Sequence, residues 1–334
     1  MPLVLERNHV LDIYAEAAER KWVLPTFNSE NLTCSEAILA SVKEYGQSIG
    51  ITALPIIIGI TNKYWQRPQS VYYTHTRRWD VGLRLFLADL KELTSSNSPF
   101  ANLKVMIHLD HIQWNEDKEL LEWDMRQFSS IMYDASTLPF EQNIKKTLAF
   151  VEQHNNVILI EGASDDISEA TKPASPNLTK PDMADKYFRE TGVDIIVANL
   201  GTEHRSPTAT LQYNGELARK ITEHIGPRLC LHGTSSVPAQ QITNLFDDGI
   251  RKVNVWTTLE RDSSPTLFQE MLGNAAKIVG SERTNKLLST ELLGKKADCN
   301  SSPSVNYYTT TYRQEIIFRR MKEIVTGYLR TWYI

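Results

Sequence analysis

Short apolar runs alternate with amphipathic stretches along almost the whole chain. Residues 9–20 carry Val10, Leu11, Tyr14 and Ala17-Ala18 at helical spacing, and residues 22–28 then read as a strand. A helix follows, with Thr33 or Ser35 as its cap and Ala37, Ile38, Ala40 and Val42 on its inner face. Residues 55–61 are apolar at nearly every position, as in a strand buried on both faces. Further strands are predicted at 104–111, 129–136, 157–161, 194–200, 228–232 and 251–255, and helical patterns at 116–125, 140–154, 183–190, 217–224 and 238–246. Eight strands, each followed by a helical pattern, predict a parallel (β/α)8 TIM barrel rather than a doubly wound sheet. None of the runs shows the proline or lysine pattern of a guarded edge strand.

The pattern predicts one domain over residues 1–334, with the barrel at about 20–260. The connection at 62–103 opens with aromatic and basic residues (Lys63, Tyr64, Trp65, Arg67, Tyr72, Tyr73) and continues into a helical stretch from residue 79 to 93. It suits a solvated surface, a subunit contact or a substrate-facing lid. Residues 163–182 are polar and proline-rich, and a mobile loop is predicted there. Beyond residue 260 the chain reads as mostly helical, with a polar interruption at 296–305 and a last amphipathic helix over 312–332.

Composition narrows the function classes. With 334 residues, 41% of them hydrophobic and 23% charged, the chain has the makeup of a soluble globular protein with a sizeable core. A formal charge of −4 gives no electrostatic footprint for nucleic acid or an anionic membrane. No run of about 18 apolar residues is present to span a bilayer, and residues 1–7 do not read as a secretion signal. Cys34, Cys230 and Cys299 are widely spaced, which argues for the reducing cytoplasm and against a disulfide framework or a thiolate zinc site.

In a barrel of this kind the reacting groups sit at the carboxyl ends of the strands. Asn28, Thr61, Asp110, His111, Asp134, Glu161, His204, His232 and Asn254 all fall there. Three strand-end imidazoles, His111, His204 and His232, would make an open divalent-metal site with a position left for substrate. Zinc is the default ion, with Co2+, Fe2+ or Mn2+ as substitutes. Asp110 is the candidate general acid or base, or else a carboxylate that orients a histidine. Strict alternation puts His108 on the face of Asp110 and opposite His111, which suits a supporting hydrogen-bond partner. Asp134 and Glu161 are candidates for a second cation, for orienting ligands, or for helix capping. The Gly233-Thr234-Ser235-Ser236 turn and the segment from Asn254 to Thr258 follow strands seven and eight, the usual phosphate cradle of this fold.

These residues in this order resemble the class II, metal-dependent fructose-bisphosphate aldolase family, which includes tagatose-bisphosphate aldolases. The resemblance runs from Pro25-Thr26-Phe27-Asn28 to Lys252-Val253-Asn254-Val255-Trp256-Thr257. Its most specific pieces are His108-Leu109-Asp110-His111, Met132-Tyr133-Asp134-Ala135-Ser136, Gly201-Thr202-Glu203-His204 and Leu231-His232-Gly233-Thr234-Ser235. It implies that His111, His204 and His232 bind the catalytic metal, that Asp110 handles a hydroxyl proton, and that Asp134 sits at a secondary cation site. It implies that Gly233, Ser235, Asn254 and Thr257 hold the ketose-phosphate half, with Asn28 and Thr61 as further substrate-facing candidates. A homodimer or homotetramer is expected on the same ground.

The sequence departs from the family pattern at four places. A Glu-x-Glu-Leu-Gly run becomes Glu161-Gly162-Ala163-Ser164-Asp165. The acidic segment that carries the mobile-loop acid/base is not recognisable, leaving Asp165, Asp166 and Glu169 as candidates. Arg205 stands where glycine is expected after the middle histidine, and Trp256 where a small or acidic residue is expected. The reading is therefore an aldolase-type lyase acting on a ketose phosphate or related hydroxyketone other than ordinary fructose 1,6-bisphosphate. A metal-dependent hydrolase or isomerase and a catalytically silent sugar-phosphate-binding relative are the alternatives.

Overall fold

The eight predicted strands pair in chain order, all parallel, and close on themselves in a computed structural model that describes residues 3–65, 67–166, 178–294 and 296–333. They are β1 (Leu24–Asn28), β2 (Pro55–Thr61), β3 (Lys104–Gln113), β4 (Ser130–Asp134), β5 (Leu159–Ala163), β6 (Ile195–Val197), β7 (Leu229–Leu231) and β8 (Ile250–Val255). Closure is made by β1 against β8, with Leu24 opposite Lys252 and Thr26 opposite Asn254. Every residue of β1, β2, β4 and β5 is buried, because the barrel interior lies on one face and a helical layer on the other.

Local chemistry sets where the outer helices start and stop. The Asn31 side chain accepts from Cys34 N–H to open the helix Leu32–Ser48, and Asn214 does the same for Gly215–Ile225 through Leu217 N–H. Pro181 occupies the first turn of the helix Pro181–Thr191, which ends at the left-handed Gly192. The final helix, Thr310–Trp332, packs on Leu32–Ser48 and on Thr257–Gly273. Its end is tied to the barrel's connections: Trp332 Nε1 donates to the Ile242 carbonyl (2.9 Å) and Tyr333 Oη to that of Pro55, at the start of β2 (2.6 Å). Among the described residues no helix is long and apolar enough to cross a membrane.

Several predicted elements are shorter than their patterns. The helix expected over 116–125 is one turn, Lys118–Leu121, followed by a 3-10 turn at Met125–Gln127. The buried Asp117 carboxylate accepts from Gln113 N–H, Lys63 N–H and Asn62 Nδ2, which fixes the chain in a knot before a helix can propagate. The helix expected over 238–246 reduces to a 3-10 turn at Ala239–Ile242, with the Ile242 carbonyl taken by Trp332. The strand expected over 194–200 keeps only Ile195–Val197. Beyond it, Asn199 N–H turns to the Thr179 hydroxyl instead of a neighbouring strand. The third strand, by contrast, runs two residues past His111, for a reason that bears on the chemistry.

Candidate metal centre

Strand β3 stays in register with β2 as far as Asp110 opposite Thr61, but its ladder to β4 slips between Leu109 and Ile112. His111 sits in the slip with left-handed backbone, φ 49°. That conformation costs a residue bearing a Cβ about 1 kcal/mol or more. The bulge overrides the alternation of the sequence pattern. Asp110 and His111, on opposite faces by period-two counting, both line one cleft at the carboxyl end of the barrel. His108 lies buried beneath them, with Nδ1 2.9 Å from Ser130 Oγ and Nε2 3.7 Å from Asp110 Oδ1.

His204 and His232 reach the same cleft from the ends of β6 and β7. Thr202 Oγ1 donates to the His232 carbonyl (2.6 Å) and Glu203 N–H to Ser236 Oγ (3.0 Å), so the two loops are laced together. Gly233 turns the chain directly after His232 with φ 71°, so close to Glu203 that a Cβ would come within 2.8 Å of its carbonyl oxygen. The His111 ring centre is 4.8 Å from that of His204 and 5.0 Å from that of His232, and those two are 5.5 Å apart. One ligand nitrogen from each imidazole lies within 4.8 Å of the other two.

The donor set fits a divalent cation. His111 Nδ1 faces Asp134 Oδ2 at 3.2 Å, which leaves Nε2 as the ligand atom. Asp134 is held in turn by Gln113 Nε2 (2.7 Å) and by the Ser136 amide and hydroxyl (3.0 and 2.6 Å). His232 Nε2 is buried and meets no hydrogen-bond partner among the described residues. Burial, reinforced by His111 and His204 against the pull of Asp110, pushes His232 well below the ordinary imidazole value and keeps it neutral. His111 differs: burial would lower it, but Asp110 and Asp134 outweigh burial and raise it.

Asp110 is held from two sides. Asn28 Nδ2 donates to its Oδ2 at 2.7 Å and Asn254 Nδ2 to its Oδ1 at 2.8 Å. Burial alone would favour the acid form, but His111, with the hydrogen-bonding His108, prevails and holds the carboxyl well below its usual range. It is an ionised base, aimed by two amides, beside three converging imidazoles.

The cleft, about 510 Å³, also carries Thr61, Gly233, Ser235 and Thr257 on its walls. Thr61 accepts from Gln69 N–H (3.1 Å), and its hydroxyl donates to the Arg67 carbonyl. Thr257 begins the helix Thr257–Gly273. Asp165 and Asp166 line an adjoining chamber with Asp134, one that shares His111 and His204 with the cleft, and Asp165 accepts from Thr179 Oγ1 at 2.7 Å. Glu169 and most of the loop predicted at 163–182 lie outside the described residues. Glu161, a candidate for a second cation, lines neither space, but its carboxylate lies within 4.8 Å of Cys230 Sγ and a His232 ring nitrogen, a second group of atoms able to hold an ion. It is completely buried and pairs with the Lys252 ammonium at 2.8 Å, a cation supplied by the chain itself.

Three participants were not among the candidates. Tyr64 stacks on the His111 ring (4.5 Å, 10°), with the Arg205 guanidinium over its ring at 4.9 Å. Arg67 pairs with Glu30 and lies 5.4 Å from the Trp256 ring. Their signal was the aromatic and basic opening of the 62–103 connection, which faces the cleft. Lys252 was legible only as a charge inside a run otherwise fit for burial.

The sequence matches the family described as "Fructose-bisphosphate aldolase class-II" over residues 8–316. The structure is similar to the fructose-bisphosphate aldolase (Fba) from Campylobacter jejuni, with a TM-score of 0.76 and 17% identity over 99% of this chain and 94% of that one. It is also similar to the YdjI aldolase from Escherichia coli K12, with a TM-score of 0.65 and 17% identity over 96% and 94%. At such identity the structural likeness speaks to the fold.

Proposed function

From the premise that this chain belongs to the class II fructose-bisphosphate aldolase family and is an aldolase-type lyase, we propose that it makes or breaks a carbon–carbon bond in a ketose phosphate other than fructose 1,6-bisphosphate. His111, His204 and His232 hold the catalytic ion in this reading, with Zn2+ first and Co2+, Fe2+ or Mn2+ as substitutes. A bound divalent ion supplies Lewis-acid stabilisation of the negative charge that develops on the substrate carbonyl oxygen.

The residues supply the rest. In the cleavage direction Asp110 takes the proton of the hydroxyl on the carbon beyond the scissile bond. That oxygen becomes the aldehyde carbonyl as the bond breaks, and the bonding electron pair stays with the ketose half as an enediolate. In the reverse direction Asp110 returns the proton to the aldehyde oxygen. Gly233, Ser235 and Thr257 take the phosphate at the N-terminus of the helix Thr257–Gly273, where free N–H groups favour an anion. Asp165, Asp166 or Glu169 exchanges the carbon-bound proton of the ketose half. Asp134 orients His111. The protein works as a cytoplasmic homodimer or homotetramer.

The observation that carries this reading is the Asp110 carboxylate, fixed by two amide donors at 2.7 and 2.8 Å beside the converging imidazoles. Arg205 and Trp256 favour a substrate unlike fructose 1,6-bisphosphate. Arg205 puts a charged side chain into a left-handed site (φ 55°), and Trp256 narrows the cleft beside Arg67. The family match favours a lyase over a hydrolase or isomerase.

The test is incubation with dihydroxyacetone phosphate in deuterated water, followed by a panel of ketose bisphosphates. Carbon–hydrogen exchange that EDTA abolishes, with turnover of a sugar other than fructose 1,6-bisphosphate, is the expected result. Absence of exchange, or fructose 1,6-bisphosphate as the best substrate, contradicts the reading.

A further inference from the structure

The interior of a (β/α)8 barrel is normally filled by branched apolar side chains. Below the histidines this barrel instead holds Lys252, Glu161 and His108, all completely buried. Lys252 Nζ lies 2.8 Å from Glu161 Oε1, 3.4 Å from His108 Nε2 and 3.8 Å from Cys230 Sγ, and it donates to Asn254 Oδ1. A buried ion pair is a poor choice if the only need is to fill space, since an apolar pair of similar volume serves as well or better.

The contact with Asn254 gives the pair another task. A primary amide has two orientations of nearly equal shape but opposite hydrogen-bonding sense. In the observed one, Asn254 Oδ1 receives the ammonium and Nδ2 donates to Asp110 Oδ1. In the flipped one, an amide oxygen would oppose the carboxylate and an NH2 would oppose an ammonium that can only donate. Lys252 therefore excludes the flipped amide, and Glu161 fixes Lys252 by charge from below.

We infer that Lys252, anchored by Glu161, is a positioning residue that acts through the Asn254 amide to hold Asp110 in place for the carbon–carbon bond step. The inference rests on the role proposed above for Asp110. It predicts a specific dissociation of two partial reactions. Exchange of the carbon-bound proton of dihydroxyacetone phosphate needs the metal and the ketose-phosphate subsite but not the hydroxyl proton that Asp110 carries. Condensation with an aldehyde needs all three.

Four proteins are compared: wild type, Asp110→Asn, Lys252→Met, and the doubly apolar Glu161→Met/Lys252→Met, which leaves no buried carboxylate uncompensated. Each is measured for metal content, melting temperature, deuterium exchange into dihydroxyacetone phosphate, and condensation of that compound with the aldehyde that wild type accepts best from a panel. Lys252→Met is expected to keep exchange within about threefold and to lose condensation by roughly tenfold or more. Metal content is expected to stay at the wild-type level in both Lys252 variants, and the double variant is expected to regain melting temperature without regaining condensation. Recovery of condensation in the double variant, or an equal fall of exchange and condensation in both variants, overturns the inference. If Asp110→Asn itself condenses normally, or wild type performs neither reaction, the underlying reading of Asp110 falls, and the inference with it. If Asp110→Asn loses condensation while the Lys252 variants keep it, only the inference falls.

Discussion

A single methyl group added at Gly59 should disable Asp110 without touching it. Gly59 lies on β2 directly opposite Asn28 on β1. A Cβ built there would lie 2.2 Å from Asn28 Oδ1 and 3.1 Å from its Cγ, too close for the side chain to stay. The backbone of Gly59 is not in the left-handed region, so alanine is conformationally acceptable and can even stabilise the strand by up to about 1 kcal/mol. The consequence falls on the Asn28 amide, which swings away and withdraws its 2.7 Å hydrogen bond from Asp110 Oδ2. A hydrogen bond to a charged group is worth about 1.5–3 kcal/mol, and each 1.36 kcal/mol of barrier is about tenfold in rate. Gly59→Ala should therefore lower carbon–carbon bond turnover roughly 10- to 150-fold, with metal content unchanged. Asn28→Ala should cause a similar loss, and the double variant no more than either single one, because both remove the same contact. Steady-state kinetics on the three variants reads this directly. Wild-type turnover in Gly59→Ala, or additive losses in the double variant, would refute the reasoning.

The remaining expectations concern the metal and its support. Asp134→Asn replaces the carboxylate that faces His111 Nδ1 and should lower metal affinity about 10- to 100-fold in a chelator competition. Unchanged affinity would deny Asp134 its orienting part. Gly233→Ala combines a left-handed φ with a clash against Glu203 and should destabilise the protein by about 1–3 kcal/mol, with loss of metal as the turn carrying His232 moves. A variant with wild-type melting temperature would contradict that. His111 is held above its ordinary value of 6.5, so its protonation stabilises the metal-free fold fully below that pH, and this contribution is lost as pH rises through the folded value. Binding must expel that proton, so metal affinity should rise about tenfold per pH unit until the folded value is passed. Calorimetry near pH 6.5 in two buffers of different ionisation enthalpy should report about one proton released, and none released would be inconsistent.

Much of this architecture was legible because the relevant physics is local. Continuous apolar runs such as Pro55–Thr61 suit strands buried on both sides, and His232 stands immediately beyond one such run, Leu229–Leu231. What the pattern could not convey came from contacts distant in sequence. Period-two counting sets Asp110 against His111; the bulge that reunites them depends on how β3 meets β4, not on the residues between. The stretch 116–125 has helical spacing, but the Asp117 carboxylate captures backbone donors from two other segments. Asn28 and Asn254 both line the cleft, and their Nδ2 groups also donate to Asp110, a pairing across 82 and 144 residues that no local pattern announces. Lys252 and Glu161 look unremarkable apart, and acquire meaning only when barrel closure brings both beneath Asn254.

The central claim is that one ion sits among three imidazoles. Metal analysis of protein purified without chelator, run on wild type and on His111→Ala, His204→Ala and His232→Ala, tests it most directly. About one divalent ion per chain is expected in wild type and a small fraction of that in each variant, with the fold intact by circular dichroism. A wild type that takes up no stoichiometric metal, or a folded histidine variant that retains its full complement, would contradict it.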